Sequence, residues 1–113
     1  MPRPAADPVK AAQTKALRQQ AGRWLKGARE SAGLTQAELA EQIGLRYYTF
    51  VSQVESGLGR LPIETQRAWA EALGMEPGAF ARTLLRYYEP ELHRLLFEEA
   101  GVQEGAGLQA ARA

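Results

Sequence analysis

The stretch from Leu34 to Leu61, LTQAELAEQIGLRYYTFVSQVESGLGRL, contains two short helical patterns with a break at Gly44. Thr35 and Glu38 have the spacing of a capping box, in which each side chain accepts a hydrogen bond from the other's backbone, so a helix is predicted to begin at Thr35. It is about two turns long, because Gly44 is the kind of residue that ends a helix. A second helix is predicted over residues 47–56. Two short helices across a glycine turn form a helix-turn-helix, whose second helix has the right size to enter the major groove of DNA.

Apolar residues at helical spacing indicate which faces of the helices enter the core. In the second helix of the stretch these residues are Val51, Val54 and Leu58. A further helix follows Pro62, and its core-facing residues are expected to be Ala68, Trp69, Ala72 and Leu73. Trp69 and Phe80 are large aromatic residues on such faces, so we expect them in the core rather than in a binding site.

An ordered series of short motifs runs through the middle of the chain: Gly33-Leu34-Thr35-Gln36-Ala37-Glu38-Leu39-Ala40, Gly44-Leu45, Val51-Ser52-Gln53-Val54-Glu55-Ser56-Gly57, Pro62 and Ala72-Leu73-Gly74. This series resembles the helix-turn-helix of the phage-repressor (XRE, Cro-like) family of bacterial DNA-binding regulators, and the resemblance covers about residues 22–85. It implies an all-α fold, a five-helix phage-repressor-like helix-turn-helix domain, here with an extended N-terminal helix and an extra C-terminal helix. One departure is that the turn within Arg46-Tyr47-Tyr48 has one residue more than is usual in the family.

Composition agrees with one small all-α domain plus tails. The chain has 113 residues, no cysteine and a formal net charge of +1. The absence of cysteine excludes disulfides and zinc sites built on thiolates, and no cofactor or metal site is expected. No apolar run is long enough to cross a membrane and no signal-peptide pattern opens the chain, so we expect a cytoplasmic, nucleoid-associated protein. Between Met1 and Thr35 there are seven Lys or Arg residues and only two acidic residues, Asp7 and Glu30, so this part is basic.

The chain is predicted to divide into four parts: a flexible N-terminal arm and helix extension (1–20), the helix-turn-helix domain (21–87), a C-terminal helix (88–99) and a disordered tail (100–113). The helix that begins at Pro8 is expected to continue to Ala32, with Gly22 as a possible interruption.

The C-terminal helix carries nearly continuous apolar residues, namely Leu92, Leu95, Leu96 and Phe97. So much apolar surface on a short helix must pack on something, and two possibilities stay open. The helix either caps its own domain or forms a homodimer interface. His93, the only histidine, has no metal-ligand neighbour at useful spacing and is expected at the surface.

The predicted DNA contacts follow from the way a helix-turn-helix lies on a duplex. The N-terminal part of the second helix presents side chains to base edges, and the residues expected there are Gln53, Thr49, Ser52 and Tyr48. Gln53 is the best candidate, because its amide both donates and accepts and so matches adenine N6 and N7. Phosphate contacts are expected from Gln36, Thr35, Arg46, Tyr47 and Arg60. For Gln36 this role is implied by the resemblance, which also implies a structural ion pair between Arg29 and Glu55.

The function predicted from these observations is sequence-specific transcriptional regulation. We expect a repressor that binds double-stranded DNA at a palindromic operator, an inverted repeat, as a homodimer. One alternative is a DNA-binding antitoxin that holds a toxin. Another is a protein-interaction module that contacts a partner such as RNA polymerase through the C-terminal helix. No enzyme is expected, because the chain offers one isolated histidine, no cysteine and no phosphate-binding glycine loop.

Overall fold

The computed structural model describes residues 7–99, and the arm before Asp7 and the tail predicted over residues 100–113 lie outside this range. The described residues form helices and no strands, which confirms the predicted all-α helix-turn-helix domain. The helices are α1 (Pro8–Ser31), α2 (Gln36–Gln42), α3 (Thr49–Ser56), α4 (Ile63–Ala72), α5 (Pro77–Tyr88) and α6 (Pro90–His93), followed by a π-helix (Arg94–Glu99). We call α6 and the π-helix together the C-terminal segment.

Helix α1 is a single helix of 24 residues. The Asp7 carboxylate accepts a hydrogen bond from the Val9 amide at 2.9 Å, and Pro8 occupies the first turn, where its missing N–H costs nothing. Gly22 does not interrupt the helix, because it is packed against α3. The boundary drawn between residues 20 and 21 therefore falls inside one helix, while the division into parts stays a prediction.

The core lies between α1, α3, α4 and α5. Its largest fully buried side chains are Trp69, Phe80, Leu25, Leu39, Leu61, Leu84, Val51 and Val54. Trp24 stacks at a tilt on Phe80 with ring centroids 5.5 Å apart, and this contact joins α1 to α5. Such aromatic pairs add about 1 kcal/mol to the free energy gained by burial.

Two of the expected core positions were wrong. Leu58 is 79% exposed, because α3 ends at Gly57 in a left-handed conformation (φ 84°) that turns the chain outward. Leu61, three residues later, is fully buried instead. Ala68 is exposed because the buried stripe of α4 is Gln66, Trp69, Ala70 and Leu73, which places residue 68 on the opposite side of the helix.

The expected surface position of His93 was also wrong, since the residue is only 8% exposed. His93 is covered by the ring of Phe97, four residues later in the C-terminal segment, with ring centroids 5.1 Å apart. The guanidinium of Arg82, on α5, lies over the Phe97 ring, 4.2 Å from its centroid. The C-terminal segment thus packs on its own domain through His93 and Phe97.

Candidate nucleic-acid interface

The start of α2 is fixed by a complete capping box. The Glu38 amide donates to the Thr35 hydroxyl at 3.1 Å, and the Thr35 amide donates to the Glu38 carboxylate at 2.9 Å. The hydrogen bond from the Thr35 backbone lowers the pKa of Glu38, because it stabilises the ionised carboxylate. Thr35 and Gln36 are therefore held in a defined position at this end of the helix.

The turn between α2 and α3 covers residues 43–48. Gly44 adopts a left-handed conformation (φ 79°), and the Leu45 amide donates to the Ala40 carbonyl at 2.8 Å, which closes α2. Helix α3 begins at Thr49, two residues later than predicted, because Tyr47 and Tyr48 belong to the longer turn. The two tyrosines are 66% and 56% exposed, so packing inside the turn does not bury them.

Three helices of the site meet at Glu55. Arg29 of α1 donates to its carboxylate through Nε at 2.7 Å and through Nη2 at 3.1 Å. Gln36 of α2 donates to the same carboxylate through Nε2 at 3.0 Å. The third Arg29 nitrogen, Nη1, donates to the Leu34 carbonyl at 2.8 Å. The ion pair expected between Arg29 and Glu55 is thus present. Gln36, which was expected to contact a phosphate, donates to the Glu55 carboxylate.

This network is almost dry, with side-chain exposures of 9% for Arg29 and 4% for Glu55. The hydrogen bond to Glu55 raises the pKa of Arg29, so the guanidinium stays charged. Charged pairs in such surroundings contribute less to stability than to geometry, because desolvation offsets much of the Coulomb attraction. The network therefore fixes the angle of α3 relative to α1 and α2.

Helix α1 also touches α3 directly. A Cβ atom on Gly22 would overlap the Glu55 carbonyl oxygen, so only glycine allows the two backbones to come this close. One turn earlier, Gln19 lies against Gly57 at the end of α3. Helix α1 thus supports the C-terminal end of α3.

The outward face of α3 is free of internal contacts. Thr49 and Gln53, one turn apart, are exposed, and neither side chain makes a hydrogen bond within residues 7–99. Ser52 lies beside them and is half-buried. Tyr48 precedes the helix and provides no side-chain cap, so its ring is not needed to hold α3. The four predicted base-contacting residues therefore share one edge of the molecule.

Two of the predicted phosphate-contacting residues lie in the same groove. Its volume is about 540 Å³, and its lining consists of Arg29, Glu30, Gly33, Leu34, Thr35, Gln36, Ala37 and Tyr48. The groove separates the start of α2 from the start of α3, as a site for the DNA backbone beside the major groove requires. Tyr48 lines it together with Thr35 and Gln36.

The remaining predicted phosphate-contacting residues lie outside this groove. Arg46 is exposed, with its guanidinium 5.6 Å from the centroid of the Tyr47 ring. Arg60 differs, because its Nη1 donates to the Glu89 carboxylate at 2.9 Å and its guanidinium lies 4.8 Å from the Tyr88 ring centroid. A phosphate contact by Arg60 would therefore share the guanidinium with an existing ion pair. Sequence patterns gave no sign of this pair, since the partners are 29 residues apart.

Two other kinds of site are missing from the part of the chain that the structure describes. Between residues 7 and 99, no group of three His, Asp or Glu side chains is placed to hold a metal ion. No helix in this range is long and apolar enough to cross a membrane.

The comparisons with known proteins agree with this geometry. A family model described as "Helix-turn-helix" matches residues 25–80. The match begins in the second half of α1, contains all of α2, α3 and α4, and ends at Phe80 in the first turn of α5. No curated protein matches the chain.

Proposed function

We propose, since this chain belongs to the XRE-type helix-turn-helix family of DNA-binding regulators, that it is a sequence-specific transcriptional repressor. The observation that carries the proposal is the contrast between the two faces of α3. Its inner face is fixed by the buried Arg29 and Glu55 pair, while its outer face presents Thr49 and Gln53 without internal partners. A rigid helix with free polar groups on one face is what direct reading of base edges requires.

In this proposal α3 lies in the major groove and α2 crosses the backbone. Gln53 makes a bidentate contact with adenine N6 and N7, and Thr49 contacts a thymine methyl group. Thr35, Gln36 and Tyr48 contact the phosphates on one side through the groove between the two helices, and Arg46 and Tyr47 contact those on the other. Binding over a promoter, on the nucleoid in the cytoplasm, would block transcription.

A single domain of this size makes few base contacts, so we propose a homodimer on an inverted repeat. Two half-sites about 34 Å apart, one turn of DNA, place two copies of α3 on the same side of the duplex. The C-terminal segment supports this part of the proposal, because Leu92, Leu95 and Leu96 are 44%, 46% and 46% exposed. Half-exposed leucines on adjacent turns are typical of a surface that a second subunit covers.

A second candidate function rests on a neighbouring feature. Between α4, α5 and the C-terminal segment lies an apolar groove of about 430 Å³, and Ile63 on its rim is 75% exposed. Another protein could bind there, either a toxin neutralised by this chain or a component of the transcription machinery. This candidate is compatible with DNA binding by α3.

Selection from a pool of randomised duplexes tests the proposal, combined with sedimentation of the protein alone and bound to the selected DNA. The expected result is an inverted repeat with half-site centres about 10 base pairs apart, bound by two subunits. A selected single half-site bound by one subunit would remove the homodimer from the proposal. Failure to enrich any sequence would contradict sequence-specific regulation and leave the protein-binding alternative.

A further inference from the structure

The first half of α1 lies beside the end of α3 and forms a groove with it. The groove has a volume of about 460 Å³ and is lined by Asp7, Lys10, Ala11, Thr14, Lys15, Arg18 and Gly57. We call it the α1 groove. It lies outside the part of the chain that the family model matches, apart from Gly57.

Packing in the core does not explain this half of α1. Residues 8–16 are all exposed, so these turns bury little apolar surface of their own. The helix packs against α3 just after these residues, where Gln19 lies against Gly57. A Cβ atom on Gly57 would be 2.8 Å from the Gln19 Cγ atom, closer than carbon atoms approach without a shift. Helix α1 is therefore in direct contact with the end of α3 at this point.

The α1 groove is positively charged. Lys10, Lys15 and Arg18 line it, and none of the three takes part in an ion pair within the described residues 7–99. Asp7 is the one acidic residue in the lining, and its carboxylate already accepts a hydrogen bond from the Val9 amide. Three cations beside one capping carboxylate leave an excess of positive charge.

A second groove adjoins the α1 groove along the same stripe of α1 and contains two acidic residues. Lys10 and Arg18 also line that groove, together with Glu89 and Glu91. Glu89 bonds Arg60 at 2.9 Å, and Glu91 bonds Arg94 at 2.9 Å. Both carboxylates thus have other partners, so they do not neutralise the cations of the α1 groove.

We propose that the α1 groove binds the phosphate backbone of the DNA that α3 contacts, which extends the interface beyond the helix-turn-helix. This inference rests on the proposed function. The groove includes Gly57, which directly follows the last turn of α3. Lys10, Thr14 and Arg18 recur every four residues and form a stripe about 12 Å long, with two cations and a hydroxyl that donate to phosphate oxygens.

Removing charge from the groove tests the inference. The probe is a fluorescein-labelled duplex of 30 base pairs and mixed sequence, since binding to such DNA consists mainly of phosphate contacts. The test variant is Lys10→Gln/Lys15→Gln, in which both residues are exposed and the fold is expected to persist. The matched control is Arg23→Gln/Arg67→Gln, which removes the same net charge at two exposed positions outside the groove. Circular dichroism checks that both variants are folded.

The readout is the slope of log affinity against log salt concentration. Each phosphate contact adds about 0.9 to this slope, so the groove variant is expected to lose about two. Its affinity at 0.1 M salt should fall by roughly tenfold to a hundredfold, while the control variant stays within about threefold of the wild type. Equal changes in the two variants would overturn the inference and leave the proposed function intact. Absence of duplex binding by the wild-type chain at low salt would overturn both.

Discussion

Glu55 is 8% exposed and accepts hydrogen bonds from three side-chain nitrogens, two of Arg29 and one of Gln36. Each of these residues comes from a different helix, so the carboxylate acts as a joint between α1, α2 and α3. The ion pair between Arg29 and Glu55, which the family resemblance implied, is present in the structure. The bond from Gln36 was not expected, because a glutamine at a helix start has no sequence pattern that predicts its partner.

The buried pair leads to a prediction for single substitutions. Glu55→Ala should lower the free energy of unfolding by about 3 to 5 kcal/mol, since it leaves the Arg29 guanidinium without its carboxylate in a nearly dry site. Replacing both partners with apolar residues, as in Arg29→Met/Glu55→Leu, should cost less than Glu55→Ala alone. Urea denaturation of the wild type and the two variants measures this. A loss below about 1 kcal/mol in Glu55→Ala would show that the pair is not buried as described.

At the scale of helices, two glycines of α1 have opposite surroundings. A Cβ atom on Gly22 would overlap the backbone of α3, whereas a Cβ atom on Gly27 would meet nothing within 4 Å. Both lie inside the same regular helix, so their helix propensities are the same and only their contacts differ. The pair therefore separates the packing of α1 on α3 from the stability of α1 itself.

We expect alanine at these two positions to act in opposite directions. Gly22→Ala should destabilise the domain by about 1 to 3 kcal/mol or more, because it forces α1 away from α3. Gly27→Ala should stabilise it by about 0.5 to 1 kcal/mol, because alanine loses less backbone entropy in a helix. Thermal unfolding of both variants provides the measurement. Equal shifts in melting temperature would contradict the close approach of the two helices.

The cap of α5 adds a dependence on pH. Glu76 accepts hydrogen bonds from the amides of Gly78 at 2.9 Å and Ala79 at 2.6 Å, and these bonds lower its pKa. A carboxylate whose pKa is lower in the folded state stabilises the fold fully above its ordinary pKa of about 4.5. That stabilisation is lost as the pH falls through the lower, folded-state value.

The melting temperature of the wild type should therefore decline between about pH 5 and pH 3, and that of Glu76→Gln should decline less steeply. The amide of glutamine keeps an acceptor at the cap but does not titrate in this range. Glu71→Gln, at an exposed position inside α4, serves as the control and should follow the wild type. Parallel curves for wild type and Glu76→Gln would rule out the cap as the cause.

How far the sequence determined these helices depends on the kind of signal. The capping box at Thr35 and Glu38 and the glycine at 44 are local signals, and they placed α2 correctly. Leu58 was misplaced because its left-handed neighbour Gly57 turns the chain outward. His93 was misplaced because the ring of Phe97 covers it. The α1 groove was not predicted for a different reason, since Gly57 lies 39 to 50 residues from the α1 residues that line the groove with it.

At the scale of the whole molecule, the C-terminal segment has two sides. Phe97 and His93 pack on α5 and its neighbours, as expected for a cap. Leu92, Leu95 and Leu96 remain about half exposed, as expected for an interface. The two possibilities left open by the sequence are therefore compatible, because different residues of the same segment would take part in each.

We predict that Leu95→Glu/Leu96→Glu is a folded monomer where the wild type is a dimer. Two carboxylates in an apolar interface would be desolvated without partners, which costs several kcal/mol. Sedimentation equilibrium over a range of concentrations measures the change. Val9→Glu, at a position 65% exposed on α1, should leave the dimer intact. A dimer that survives the double substitution would place the interface elsewhere.

The central claim is that the outer face of α3 reads the sequence of DNA, and Gln53→Ala tests it most directly. The measurement is the affinity of wild type and variant for the selected site and for each of its single base-pair replacements. We expect the variant to lose about 1 to 3 kcal/mol of binding free energy on the selected site. It should also lose its base preference at one base pair in each half-site, while the preferences at the other base pairs stay unchanged. Unchanged affinity and unchanged preference at every position would contradict the placement of α3 in the major groove.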